Sequence, residues 1–360
     1  MPKIVIVGCG IIGAAIAYEL SLIPNLDITV IEQNTTASGA TGAALGLLMG
    51  AISGKTKGRA WRLRETSLKR YQSLIPELEA QTNIAIPVNR YGMVKLLFTE
   101  DKIEKWQKLQ QTRALQGWNL DIWNSQQLQQ QCPEINCDRL IGAVYSSQDT
   151  QIHPQILAEA LVTAAQINGV TFKFGVSLTG TDIKQHHKLQ INTSNGSLAV
   201  DSLIIAAGLG STDLTASLQQ AVDIRPVLGQ AVKFQLDRDL GLENFQPVIT
   251  GNDIHIVPLG NQQYWLGATV EFSDEQSNVV ADSSLLEKTL ESAIAFCPSI
   301  AEAKILHRWQ GKRPRPYGQS APVIGKLDGY DNVLLATAHY RNGVLLAPAT
   351  ALEIKNLLLT

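Results

Sequence analysis

Three glycines, Gly8, Gly10 and Gly13, stand in the order GCGIIG, and an acid, Glu32, follows about 20 residues further on. That spacing suits a chain that wraps a pyrophosphate. One glycine makes the tight turn, one lets the backbone approach the phosphates, and one lets a helix pack closely on a strand. Ile11 and Ile12 open the helix, whose unpaired N–H groups and partial positive charge attract anions. Glu32 can accept hydrogen bonds from ribose hydroxyls and would repel a ribose phosphate, which favours FAD or NAD over NADP. Gln33 is assigned to the same site. A ligand-free glycine turn is the simpler alternative. It does not account for the apolar strand before the glycines, the small-faced helix after them, or the second strand ending in the acid.

The next segment, Ala37 to Gly50, reads ASGATGAALGLLMG. Flexible linkers are polar, and this stretch is apolar. Its small side chains let peptide N–H groups reach a large flat cofactor. Thr41, Gly42, Ala43, Ala44, Gly46 and Leu47 are therefore candidate cofactor contacts. An NAD-dependent dehydrogenase has no need of this loop directly after the second strand, so FAD is preferred. Met49 ends the loop and either faces the reactive side of a flavin or packs as a core methionine.

Further motifs are QIHP at Gln151–Pro154, AAG at Ala206–Gly208, RPVLGQ at Arg225–Gln230, and VPLG with LGAT between Val257 and Thr269. WQGKRP at Trp309–Pro314 and HYRNGVLLAPAT at His339–Thr350 complete the series. With GCGIIG, Glu32 and the small-residue loop, they make a chain that resembles the D-amino-acid oxidase and glycine oxidase family of FAD enzymes. The last motif is most similar to bacterial glycine oxidases associated with thiamine biosynthesis.

The resemblance implies that an amino acid loses hydride from its α-carbon to flavin N5. The imine hydrolyses to an oxo acid and ammonia, and molecular oxygen reoxidises the flavin to give hydrogen peroxide. It implies a small amino-acid substrate whose carboxylate is clamped by Arg313, since a guanidinium offers two parallel charge-assisted hydrogen bonds. Arg315 is a rival for that role, and Lys312 stands where relatives carry an apolar residue. Arg341 is placed beside flavin and substrate, with Asn342, Gly343, Val344 and Leu345 approaching the ring; Asn342 could equally cap the last helix. Val176 and Ala206, Ala207 and Gly208 are carried over as cofactor contacts. His255 occupies a position where glycine oxidases carry a substrate-binding tyrosine. It either hydrogen-bonds a carboxylate or points to solvent. His153 is read as structural, and metal binding at His186-His187 is not expected. No cysteine matches the motif for covalent flavin attachment, so FAD is expected to be non-covalent. Other readings are a quinone-linked D-amino-acid dehydrogenase, a sarcosine-type oxidase, a flavin module of tRNA modification, and a redox sensor without turnover. The tRNA reading calls for a second catalytic domain, which is not expected beyond Thr360.

These residues need elements to hold them. Buried strands are predicted at Lys3–Val7 and Ile28–Ile31, and helices at Arg59–Gln81, Glu100–Gln116, Pro154–Asn168, Ser283–Phe296 and from about Gly343. Lys188–Thr193 and Ser197–Val200 flank Ser194-Asn195-Gly196, a hairpin signal. The expected fold is α/β. A discontinuous Rossmann-like FAD domain takes residues 1–82, 146–216 and 309–360, and a mixed-sheet substrate domain takes 83–145 and 217–308.

Composition narrows the class. The 360 residues are 45% hydrophobic and 17% charged, with a net charge of -2, which fits a globular chain and gives no electrostatic footprint for nucleic acid. The four cysteines cannot form a disulfide framework, and neither they nor the histidines complete a metal set. No apolar run reaches the ~18 residues of a membrane span. Lys3 and Val7-Gly8-Cys9 imitate a lipoprotein signal, but a strand explains the glycine spacing and a signal does not, so a cytoplasmic protein is expected. Self-association into a homo-oligomer is left open.

Overall fold

The computed structural model describes residues 1–183 and 189–359. His186-His187 and Lys188, at the start of the expected hairpin, lie outside the described residues.

The first strand, Lys3–Val7, sits inside a six-stranded sheet between Ser202–Ile205 and Asp27–Glu32, parallel to both. Successive side chains of a strand point to opposite faces, and here both faces are covered. Ile4 and Ile6 pack into the helical core with Ala14, Ile16 and Leu20. Val5 and Val7 pack on the other side with Leu189, Ile191 and Val200, from a small antiparallel sheet that contains the expected hairpin. This two-sided burial explains a continuous apolar run in place of alternation. The helix Ile11–Ser21 is buried over nearly its whole length because other helices cover its outer side. Its small residues let Pro154–Ile167 and Gly343–Leu359 pack closely.

A nine-stranded sheet forms the second unit. It takes Met93–Phe98, Asp121–Trp123 and Leu140–Ser146 from one stretch of chain and six strands between Ile224 and Pro316 from another. Its longest members, Ile224–Gln235 and Lys304–Pro316, are antiparallel and pair from Ile224↔Pro316 to Gln235↔Lys304. The boundary expected at 308/309 therefore falls inside a strand. Ile224–Gln235 offers hydrogen-bonding partners along its full length, and the sheet continues as far as that ladder does. Likewise the 145/146 boundary falls within Leu140–Ser146. No helix among the described residues is long and apolar enough to cross a membrane.

Candidate active site

A cavity of about 610 Å³ opens between the two sheets. Gly8, Gly10, Ile11, Ile12, Glu32 and Gln33 line one end. Gly8 has φ +103°, and a Cβ there would lie 2.6 Å from the Ala206 carbonyl oxygen. A Cβ on Gly13 would lie 1.9 Å from the Gly8 carbonyl oxygen. Gly13 thus does not face the cavity; it lets the helix sit against the turn. The helix has no acid in its first turn, and its Ile11 N–H donates to Thr41 Oγ1 at 2.9 Å. Glu32 accepts from the Cys9 N–H at 2.8 Å and the Asn34 N–H at 2.9 Å. Those bonds fix its carboxylate while leaving lone pairs for ribose hydroxyls.

The walls come from Thr41, Ala43, Ala44, Gly46 and Leu47, from Ala206, Ala207 and Gly208, and from the approach to the last helix, including Gly343 and Val344. Ala338 and Tyr340 in that approach have φ +56° and +54°, conformations that non-glycine residues adopt at a cost and that cluster at ligand sites. The shape, the glycine-lined turn and the acid at the strand end fit an adenine dinucleotide.

At the far end stand Arg313, Lys312, Arg341 and His255. The Arg313 guanidinium lies across the neighbouring strand, where a Cβ on Gly229 would come within 2.2 Å of it. Val227 is the register partner of Arg313, so Gly229 is its diagonal neighbour on the same face. Arg313 Nη1 donates to the Leu228 and Thr269 carbonyls at 3.2 and 3.1 Å. Among the described residues no carboxylate forms an ion pair with it. Burial first, then the Arg341 charge, holds its pKa below the ordinary arginine value. A carboxylate entering here would meet a guanidinium already oriented by carbonyls. Among the described residues Arg341 has one ion-pair partner, Asp253, at 3.5 Å.

His255 is buried, which removes the reading that turns it to solvent. Its Nδ1 is hydrogen-bonded to Thr250 Oγ1 at 3.0 Å. Burial first, and then Arg341, lowers its pKa to about 3, so the ring is neutral.

Several expected residues lie away from the lining. Met49 packs at the junction of two hydrophobic clusters, because the apolar side of its loop turns inward after Leu47. Val176 is buried, and its N–H donates to the Glu32 carbonyl at 3.0 Å, which leaves only its carbonyl for a ligand. Gly42 packs against the Ala37 carbonyl. Asn342 accepts from the Leu346 N–H through its main-chain carbonyl, and Leu345 is core. Arg315 is outside the lining, so Arg313 alone of the two faces the cavity. His153 sits in the turn before its helix, with its ring 5.3 Å from that of Trp265.

Three supports were not anticipated. Trp309 Nε1 donates to the Ala43 carbonyl at 3.1 Å, tying the second sheet to the small-residue loop. Asp149 is fully buried and accepts the N–H groups of Gly50, Ala51 and Ile52 at 2.7, 2.8 and 2.7 Å. Arg113, also fully buried, donates to the carbonyls of Ala51, Ser53 and Lys55 at 2.6, 2.8 and 2.9 Å. Together they brace the loop that follows the cofactor wall. A single arginine inside a polar-faced helix gives no sequence signal for this.

A nucleotide-shaped cavity between a parallel sheet and a largely antiparallel one, with a cationic far end, defines a two-domain flavoprotein. Residues 3–357 match the family model described as FAD dependent oxidoreductase. The chain belongs to that family; it is an FAD-dependent oxidoreductase, and its cofactor is FAD. It is 28% identical to a glycine oxidase of Geobacillus kaustophilus, over 98% of this chain and 92% of that one. It is 28% identical to the bifunctional protein ThiO/ThiG of a Nostoc species, covering 99% of this chain and 52% of that one. The crystal structure of glycine oxidase from Geobacillus kaustophilus superposes with a TM-score of 0.89 at 26% identity, over 99% of this chain and 95% of that one.

Proposed function

We propose that this chain oxidises glycine or another small amino acid or secondary amine, with molecular oxygen as acceptor. The observation that carries the reading is Arg313, a carbonyl-oriented guanidinium at the cavity's far end with no ion-pair partner among the described residues. The names of the glycine oxidase relatives support it. FAD supplies the two-electron acceptor for the substrate's hydride.

Arg313 binds the substrate carboxylate and thereby orients the α-carbon. His255, held neutral, adds hydrogen-bonding capacity without adding charge. Glu32, Gly8, Gly10, Ile11, Ile12 and the small-residue walls hold the nucleotide. In this reading the six-stranded unit is the cofactor domain and the nine-stranded unit the substrate domain. No cysteine lines the cavity among the described residues, which supports non-covalent FAD. The four cysteines are unpaired, which supports a reducing, cytoplasmic setting.

The test is anaerobic: excess glycine, sarcosine, D-alanine or D-aspartate is added to the FAD-loaded protein and the visible flavin absorption is followed. Bleaching by one of them, with peroxide formed when air is admitted, is the expected result. An absorption that none of them changes overturns the reading.

A further inference from the structure

The charged residues of the cavity lining are Glu32, which ends a strand of the six-stranded sheet, Lys312 and Arg313 on the nine-stranded sheet, and Arg341 in the loop before the last helix. The Arg341 charge acts on Arg313. One substrate carboxylate on Arg313 leaves Arg341, whose side chain is about one-third exposed, with a single loosely placed counter-ion among the described residues. That counter-ion, Asp253, is 72% exposed and 3.5 Å away. It sits on the tight turn between Val248–Gly251 and Ile254–Gly260, where Asn252 and Asp253 have φ +50° and +62°. An exposed carboxylate at that distance is weakly held and easily exchanged. His255, buried between the strands and neutral, does not compete for an anion as a cation would, yet leaves its Nε2 without a partner among the described residues.

We infer that the preferred substrate is an amine with two acidic groups, the first held by Arg313 and the second by Arg341, which releases Asp253 to take it. This rests on the amine-oxidase reading, and its test is chosen so that the two can fail separately.

The probe pair is succinate and succinamate, which differ by one charge and are not oxidised as amines. Each is titrated into the FAD-loaded protein, and binding is read from the flavin absorption. Succinate is expected to bind at least about tenfold more tightly, the scale of one charge-assisted hydrogen bond. Arg341→Gln should bring the ratio near one, Arg341→Lys should keep part of it, and Asp253→Asn should raise it. If the Gln variant does not hold FAD, the Lys and Asp253→Asn variants still read the ratio. Equal binding of the two probes by the unaltered protein overturns the inference, whatever amines it oxidises. A wild-type preference that survives in Arg341→Gln also overturns it. D-Aspartate against D-asparagine then reads the same preference in kcat/KM.

Discussion

At the nucleotide end of the cavity, the turn, helix start and acid all come from one strand–helix–strand unit, Lys3 to Glu32. At the proposed substrate end, Arg313, His255 and Arg341 come from two strands of the second sheet and the loop before the last helix. The first end is held by backbone: steric fits between Gly8, Gly13 and Ala206, and N–H groups fixed by Thr41 and Glu32. The second is held by side chains: Arg313 with no ion-pair partner among the described residues, Arg341 with a distant exposed one, and a neutral His255. An end made of local backbone fails by losing the cofactor. An end made of distant side chains fails by losing the substrate while the protein stays yellow.

The largest expected effect tests the nucleotide end. Gly13→Val places side-chain atoms where even a Cβ lies 1.9 Å from a carbonyl oxygen. It should abolish FAD retention, read as the ratio of flavin to protein absorption after gel filtration. Normal flavin content in this variant would break the contrast.

Next is the brace beneath the wall. Arg113→Met strands three buried carbonyl acceptors and removes a cation that interacts electrostatically with buried Asp149. Losing one member of such a buried charged group costs roughly 3–5 kcal/mol. The denaturant midpoint should fall accordingly, with protease cleavage appearing near Ser53–Lys55.

At the substrate end, Arg313→Ala should raise KM roughly 100-fold while flavin content stays intact. An unchanged KM would dissolve the distinction from the other side.

His255 and His339 sharpen it through pH. Burial brings each from an ordinary value of 6.5 to about 3. Each therefore contributes stability that is present above about 6.5 and lost as pH falls toward 3. His339→Gln should flatten the acid side of a plot of urea midpoint against pH. Because His255 stays neutral, it should add no inflection to log kcat/KM at neutral pH. An inflection that vanishes in His255→Asn would show that the ring does gain a proton. The smallest effect is Trp309→Phe, which removes one hydrogen bond to Ala43. It should cost about 1 kcal/mol of stability.

The nucleotide end was legible because its chemistry is written in neighbours. Gly8, Gly10, Gly13 and Glu32 specify turn, approach and acceptor within one supersecondary unit, and the alternation of Ile4 and Ile6 with Val5 and Val7 belongs to a strand buried on both faces. The place of Arg313 in the cavity lining was legible only through the motif around it, since an arginine near prolines has no local sign of burial. Met49 stayed open between two readings because a methionine ending a small-residue loop is as well suited to a core as to a cofactor, and it packs between two hydrophobic clusters.

The sequence by itself determined the glycine turn, the acid that ends the second strand and most of the helices, because each depends on side chains within a few turns of one another. Only the tertiary structure decided that Gly229 makes room for Arg313, that the second sheet runs on to Pro316, and that His255 is buried and neutral. It also decided that Asp149 and Arg113 brace one loop from opposite charges. Those outcomes rest on strands and helices far apart in the chain coming together, where register and desolvation set what a side chain meets.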